Sequence, residues 1–239
     1  MNVKRVRNCS LVVDRPLLRG IEEHHLIDDA IAELLAVNRV SEGRARVIIL
    51  ARSGPDTWKV KTLEAGKSDL LILTADPKKV DERGLTLAVS PYRCNTLSPL
   101  TGIKSLNYLE QVLAREEART RQFDEAVLLN ERGEVVSATM ANIFWIKDGT
   151  VHTPTLSIGV LPGVTRAKVI KLAGKHFIPL VEGVYELGAL TEADEIFLTS
   201  ASLGIGIVTT FDFRQYSVAT GNVAARLRVA FQELTLRKA

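Results

Sequence analysis

Apolar and polar positions alternate along the chain in two distinct rhythms. Residues 22–38, "EEHHLIDDAIAELLAVN", place Leu26, Ile27, Ala30, Ile31, Leu34 and Leu35 on one helical face, with acidic residues crowding the first turns. "RARVIILAR" (44–52) reads as a strand with a buried, β-branched middle, broken by "GPDTWKV". "DLLILTADP" (69–77) and "GLTLAVSPYR" (84–93) read as two more strands, the second alternating through Leu85, Leu87 and Val89. Residues 94–103, "CNTLSPLTGI", are rich in turn formers and mark the best boundary, after which Leu106, Leu109, Val112 and Leu113 predict a helix over 104–120.

Downstream, "EAVLLNERGEVVSATMANIFWIKDGTVHTP" (125–154) predicts a β meander, with "ERGE" and "KDGT" as turns that need glycine at positive φ. "GVTRAKVIKLAGKHF" (163–177) is a helix opened by Gly163, residues 190–213 hold a short helix and two strands, and 220–237 form an amphipathic C-terminal helix. The expectation is an α+β fold with a small domain at 1–93, an interdomain loop at 94–103 and a larger domain at 104–239.

Composition narrows the classes. Of 239 residues, 46% are apolar and 25% charged, as in an ordinary globular enzyme, and aromatics are only 5%, so the core is built from aliphatic residues. A net charge of +3 with interspersed signs gives no footprint for nucleic acid. No apolar run reaches the about 18 residues of a membrane span. Cys9 and Cys94 form neither a metal spacing nor a disulfide framework and read as free thiols of a cytoplasmic protein.

Three stretches carry candidate chemistry. In "GVLPGVTRAKVI" (159–170), Pro162-Gly163 turns the chain into a helix whose free amides, with the Thr165 hydroxyl, suit a phosphate; taken by itself, this stretch more often reads as a plain turn and cap. In "FLTSASLGIG" (197–206), Thr199, Ser200, Ala201 and Ser202 end a strand as either a second set of phosphate donors or a polar turn. "YRCN" (92–95) puts Tyr92 and Arg93 after a strand, where the arginine either holds a substrate carboxylate or is simply solvated.

Taken together, "SPLTGIKSLNYLEQVLAREEA", "DEAVLLNERGEVVSATMANIFWIKDGTVHTP" and "GVLPGVTR" resemble the class IV, fold-type IV pyridoxal-phosphate enzymes. That family holds branched-chain aminotransferases, D-amino-acid aminotransferases and 4-amino-4-deoxychorismate lyases. The resemblance spans about residues 84–210, and "GLTLAVSPYR" with "GIKSLNYLEQVL" looks closest to the lyase branch. It implies a shortened small domain, a larger domain with a β-barrel-like core flanked by helices, a homodimer, a bound pyridoxal 5'-phosphate and an amino substrate bearing a carboxylate. Lys104 is then the Schiff-base lysine, with Gly102, Ile103 and Leu106 expected to bury it partly. Gly163, Val164 and Thr165 take the phosphate, with Thr199, Ser200 and Ala201 as its second loop. Asn142 matches a position near the cofactor, or serves the fold. Arg93, with Tyr92 beside it, matches a substrate-carboxylate position.

Two departures stand out. Where the family places a glutamate against the cofactor's pyridine nitrogen, five residues before the asparagine, "GEVVSATMAN" has Ser137. A serine hydrogen-bonds a neutral nitrogen but does not stabilise a protonated one, which weakens the ring as an electron sink and favours elimination over transamination. The family's opening "D-x-G-x-x-x-G-D-G-x-F-E-T" phrase and its arginine-bearing helix are also missing, with Arg7 or Arg15 as substitutes that do not align. The leading expectation is a lyase that eliminates pyruvate to leave 4-aminobenzoate. The alternatives are a class IV aminotransferase of branched-chain or D-amino acids and a non-catalytic homologue that keeps the fold.

Overall fold

The structure is a computed structural model that describes residues 24–39, 43–51, 68–76, 83–219 and 221–236. Arg7, Arg15 and Cys9 lie outside the described residues. By contacts the chain divides after Lys79, earlier than the expected 94–103 loop.

The smaller unit holds helix α1 (His24–Asn38) and strands β1 (Arg44–Ala51) and β2 (Ser68–Ala75). β1 and β2 pair antiparallel from Arg44 opposite Ala75 to Ala51 opposite Ser68. Ala30 and Ile27 of α1 pack with Val47 and Ile72 of the hairpin, so the helical and strand periodicities converge on one small core.

The larger unit contains β3 (Leu85–Cys94), α2 (Leu109–Thr120), β4 (Glu125–Asn130), β5 (Val135–Ala138), β6 (Asn142–Lys147) and β7 (Thr150–Pro154). After a 3₁₀ turn at Leu156–Ile158 follow α3 (Val164–Lys175), β8 (Leu180–Gly183), the short α4 (Gly188–Thr191), β9 (Glu195–Ser200), β10 (Gly204–Phe211), β11 (Arg214–Gln215) and α5 (Val223–Leu236). The sheet runs β5-β4-β3-β10-β9-β6-β7-β8, with β11 added beside β10. β3 lies inside this sheet, parallel to both β4 and β10, which is why the division between units falls before it. The sheet curls until its two ends meet: Val135 of β5 donates to the Tyr185 carbonyl, 2.8 Å away, just beyond β8, and Glu134 bridges to Glu186. This is the expected barrel-like core.

The central strands β4, β6 and β9 are buried on both faces, and side chains alternate between them. Leu87, Val127, Ile143, Trp145, Ile196, Leu198 and Val208 build one cluster, together with Leu190 of α4. The residues between them, Phe144, Ile146, Phe197, Ile205 and Ile207, meet Val169 and Leu172 of α3 and Ala224 and Leu227 of α5. Phe144 and Phe197 face each other across β6 and β9 with stacked rings, 4.9 Å between centroids. Such double burial explains why these strands read as continuous apolar runs. Both predicted turn glycines adopt positive φ, Gly133 at 80° and Gly149 at 75°.

Helix α2 departs from expectation. It starts at Leu109, not at residue 104. Gly102, at φ 73°, and a series of turns at 98–103 occupy the preceding stretch. The helix buries its small residues Ala114 and Ala118, so Leu109, Val112 and Leu113 face outward instead of forming the buried stripe.

Candidate active site

Three elements meet at one end of the larger sheet. β6 begins with Asn142, directly opposite Thr199 near the end of β9. Asn142 shares strand parity with Phe144, and Thr199 with Phe197, so both point to the face that α3 covers. The Asn142 amide donates to the Leu161 carbonyl at 2.9 Å, which fastens the approach to α3 onto the sheet. Gly163 is the N-cap of α3, in extended conformation, and a Cβ built there would overlap the Asn142 side-chain oxygen. Gly163 donates its own N–H to the Leu161 carbonyl at 2.8 Å, so it contributes space and not a donor. The amides of Val164, Thr165 and Arg166 have no partner within the helix. No side chain among the described residues caps this end, and its first turn holds no acidic residue.

The contrast with α5 is instructive. There the Glu195 carboxylate accepts from the amides of Val223 and Ala224, both at 2.9 Å. The start of α3 presents the same kind of donors with no anion from the described residues on them. Beside it, Thr199 is 1% exposed and its hydroxyl has no hydrogen-bond partner among the described residues. A buried hydroxyl without a partner costs free energy that a ligand oxygen would recover. Ser200 is already engaged: its oxygen accepts from the Leu203 amide at 3.2 Å and lies 3.4 Å from the Ser202 hydroxyl. Ala201 is exposed in that turn.

Lys104 stands in the loop before α2. It is exposed, as is Leu106 at 51%, so the expected partial burial by Gly102, Ile103 and Leu106 is not found. Its ammonium donates to the Tyr108 hydroxyl at 2.5 Å and lies 5.0 Å from that ring's centroid. Motif spacing does not single out Tyr108; its one signal in the sequence is a separation of four residues from the lysine. The loop leans on the approach to α3, since a Cβ at Gly102 would stand 3.7 Å from the Val160 carbonyl and one at Gly159 would overlap Thr101.

Ser137 is half-buried on β5 opposite Leu128, and its hydroxyl makes no hydrogen bond among the described residues. A tight turn separates it from Asn142, closed by the Ala138 amide on the Ala141 carbonyl at 2.9 Å. Buried Glu125 supports that turn: it accepts from the Thr139 hydroxyl and from the Met140 amide at 3.0 Å, and Arg115 pairs with it at 3.2 Å. Tyr92 and Arg93 are exposed at the end of β3, and the Arg93 guanidinium donates to the Ser90 carbonyl at 2.9 Å. Asn142, Gly163, Val164, Thr165 and Thr199 are therefore brought together. No hydrogen bond among the described residues joins Lys104, Tyr92 or Arg93 to them. No group of three or more His, Cys, Asp or Glu among the described residues has metal-binding geometry, and no helix among them is long and apolar enough to cross a membrane.

A family model described as amino-transferase class IV matches residues 22–211. The chain belongs to the class IV aminotransferase family. A Methanocaldococcus jannaschii protein provisionally named a branched-chain-amino-acid aminotransferase is 33% identical over 94% of this class IV chain and 77% of its own length. The aminodeoxychorismate lyase of Bacillus subtilis is 29% identical over 87% of this chain and 72% of its own. Among solved structures, the branched-chain aminotransferase of the archaeon Thermoproteus uzoniensis, with norvaline, superposes with a TM-score of 0.79. It is 28% identical and covers 90% of this chain and 72% of its own.

Cys94, at the root of the Lys104 loop, is a free thiol. It packs on Val136, Ile158 and Val160. Burial, with added repulsion from Glu110 and Glu131, pushes it up to about 11. At pH 8 only about one molecule in a thousand carries the thiolate. Iodoacetamide at that pH should therefore modify Cys94 far more slowly than a free cysteine peptide, as read by mass spectrometry. Peptide-like alkylation rates would show that the thiol is not buried as described.

Proposed function

We propose that this class IV chain is a pyridoxal 5'-phosphate-dependent lyase acting on an amino substrate that bears a carboxylate, of the aminodeoxychorismate lyase kind. The observation that carries the cofactor reading is the uncapped start of α3 beside the buried, partnerless hydroxyl of Thr199. Those groups fit a phosphate: amides of Val164, Thr165 and Arg166 as donors, the Thr199 hydroxyl as another, and Gly163 leaving room. The family match supports the cofactor reading, while the relatives' names divide between aminotransferase and lyase.

When bound, pyridoxal phosphate supplies an aldehyde for an amine and a conjugated ring that withdraws electrons from the substrate's Cα. The Lys104 amine would serve as the nucleophile toward that aldehyde and, as a free amine, would move protons at Cα. Tyr108 orients it by accepting its hydrogen bond. Ser137 would offer the ring nitrogen a neutral hydroxyl, which would stabilise no positive charge there and so would favour elimination over transamination. Arg93 has guanidinium donors beyond the one given to Ser90 for a substrate carboxylate. Aminotransferase activity is the second reading, favoured by the name of the 33%-identical relative. The free Cys94 thiol is in keeping with a cytoplasmic location.

We also propose a homodimer. Leu97 at 87% exposure, Leu109 at 70% and Leu113 at 52% are left on the surface near Lys104, and a second copy would cover them. Light scattering at micromolar concentration should give twice the 26.3 kDa chain mass, and a stable species at the single mass would refute this.

Borohydride reduction after incubation with the cofactor should fix an adduct that peptide mapping places on residue 104, and Lys104→Ala should abolish it. An adduct on Lys147 or Lys168 would overturn the assignment.

Ser137→Glu separates the two chemistries. A carboxylate there would favour a protonated ring nitrogen and a stronger electron sink. Single-turnover pyruvate formation from D- or L-alanine should rise about tenfold, a barrier change equivalent to one pKa unit, without a matching gain in aminobenzoate release. A variant that binds cofactor normally and shows no gain would remove the reason for preferring the lyase.

A further inference from the structure

Lys104 is not held by a helix, so something else must set its place. The polar tie from its loop to the neighbouring hairpin lies at Thr96. The Thr96 amide donates to one oxygen of Glu131 at 3.0 Å and its hydroxyl to the other at 2.5 Å. Glu131 stands in the β4–β5 turn, and that turn is braced. Asn130 accepts from the amides of Arg132 and Glu134 at 3.0 and 2.9 Å. Arg132 pairs with both Glu131 and Glu134 and reaches the Thr96 hydroxyl at 3.3 Å.

From Thr96 the position of the chain is carried forward by a compact knot. The Thr101 hydroxyl donates to the Asn95 carbonyl at 2.7 Å, its amide to Ser98 at 3.0 Å, and the Ile103 amide to Leu100 at 3.0 Å. Ile103 is the residue before Lys104. The other arm of the same hairpin, β5, carries Ser137.

We propose that Glu131 is a positioning residue: it fastens the Lys104 loop to the β4–β5 hairpin and so sets the lysine amine against Ser137. Its bearing on catalysis rests on the reading of Lys104 as the lysine that takes the cofactor. The two Thr96 bonds hold the Glu131 carboxyl down at about 2, so the acceptor is ionised at any working pH.

The test compares the parent with Glu131→Ala, Glu131→Gln and Thr96→Val. Hydrogen exchange of the 95–108 segment in cofactor-free protein should quicken at least about tenfold in Glu131→Ala, which loses both Thr96 bonds, tenfold being the low end for a single charge-assisted hydrogen bond, while α5 is unchanged. Glu131→Gln keeps an acceptor and should lie between. Thr96→Val removes the hydroxyl bond while leaving the carboxylate in place, so it reports on the tie even if Glu131→Ala does not fold. Reductive methylation of Lys104 by formaldehyde and cyanoborohydride, measured against Lys171, should shift in the same order. Unchanged exchange at 95–108 would overturn the tie. Faster exchange with unchanged Lys104 labelling would overturn the positioning role. If the parent takes no cofactor on Lys104, the catalytic reading fails, and both readouts still decide the clamp.

Discussion

The site depends on one pinned junction. The Asn142 side chain, at the first residue of β6, holds the Leu161 carbonyl, and that bond fixes where α3 starts. Because Asn142 lies opposite Thr199, the same register puts the end of β9 beside the helix. Gly163 is required by the closeness of that approach, since a Cβ would displace the Asn142 oxygen. Three helix amides without a partner in the helix and one buried hydroxyl then converge, and their shared need is an anion.

The rest of the larger unit holds the junction still. Stacked Phe144 and Phe197 lock β6 to β9 from the α3 side, while Trp145 and Leu198 lock them from the other. Glu125 braces the turn that leads from Ser137 to Asn142, so the β5 hydroxyl and the β6 amide are parts of one continuous support. Glu131 plays the matching part for the Lys104 loop at the far end of the same hairpin. The strand pair β4–β5 thereby joins the proposed amine, the proposed ring contact and the phosphate end.

Much of the fold was legible because doubly buried strands leave long apolar runs, and turns such as "ERGE" and "KDGT" need glycine. The sheet order was not legible, since parallel partners such as β3 and β10 are distant in sequence and nothing local encodes their pairing. The start of α2 was misread because Leu106, Leu109, Val112 and Leu113 keep helical spacing while facing outward, and periodicity reports a face without saying what covers it. Motifs placed Gly163, Thr165 and Thr199 in one region. They did not show that Gly163 spends its amide on Leu161, that Ser200 is occupied by its own turn, or that Tyr108 touches Lys104. Those facts depend on rotamers and close approaches, which spacing does not determine.

A crystal structure of the chain grown with pyridoxal 5'-phosphate tests the central claim most directly. Phosphate density is expected on the amides of Val164, Thr165 and Arg166 and on the Thr199 hydroxyl, with density continuous from the cofactor to the Lys104 amine. Phosphate bound elsewhere, with the Thr199 hydroxyl still without a partner and the Lys104 amine still on Tyr108, would contradict it.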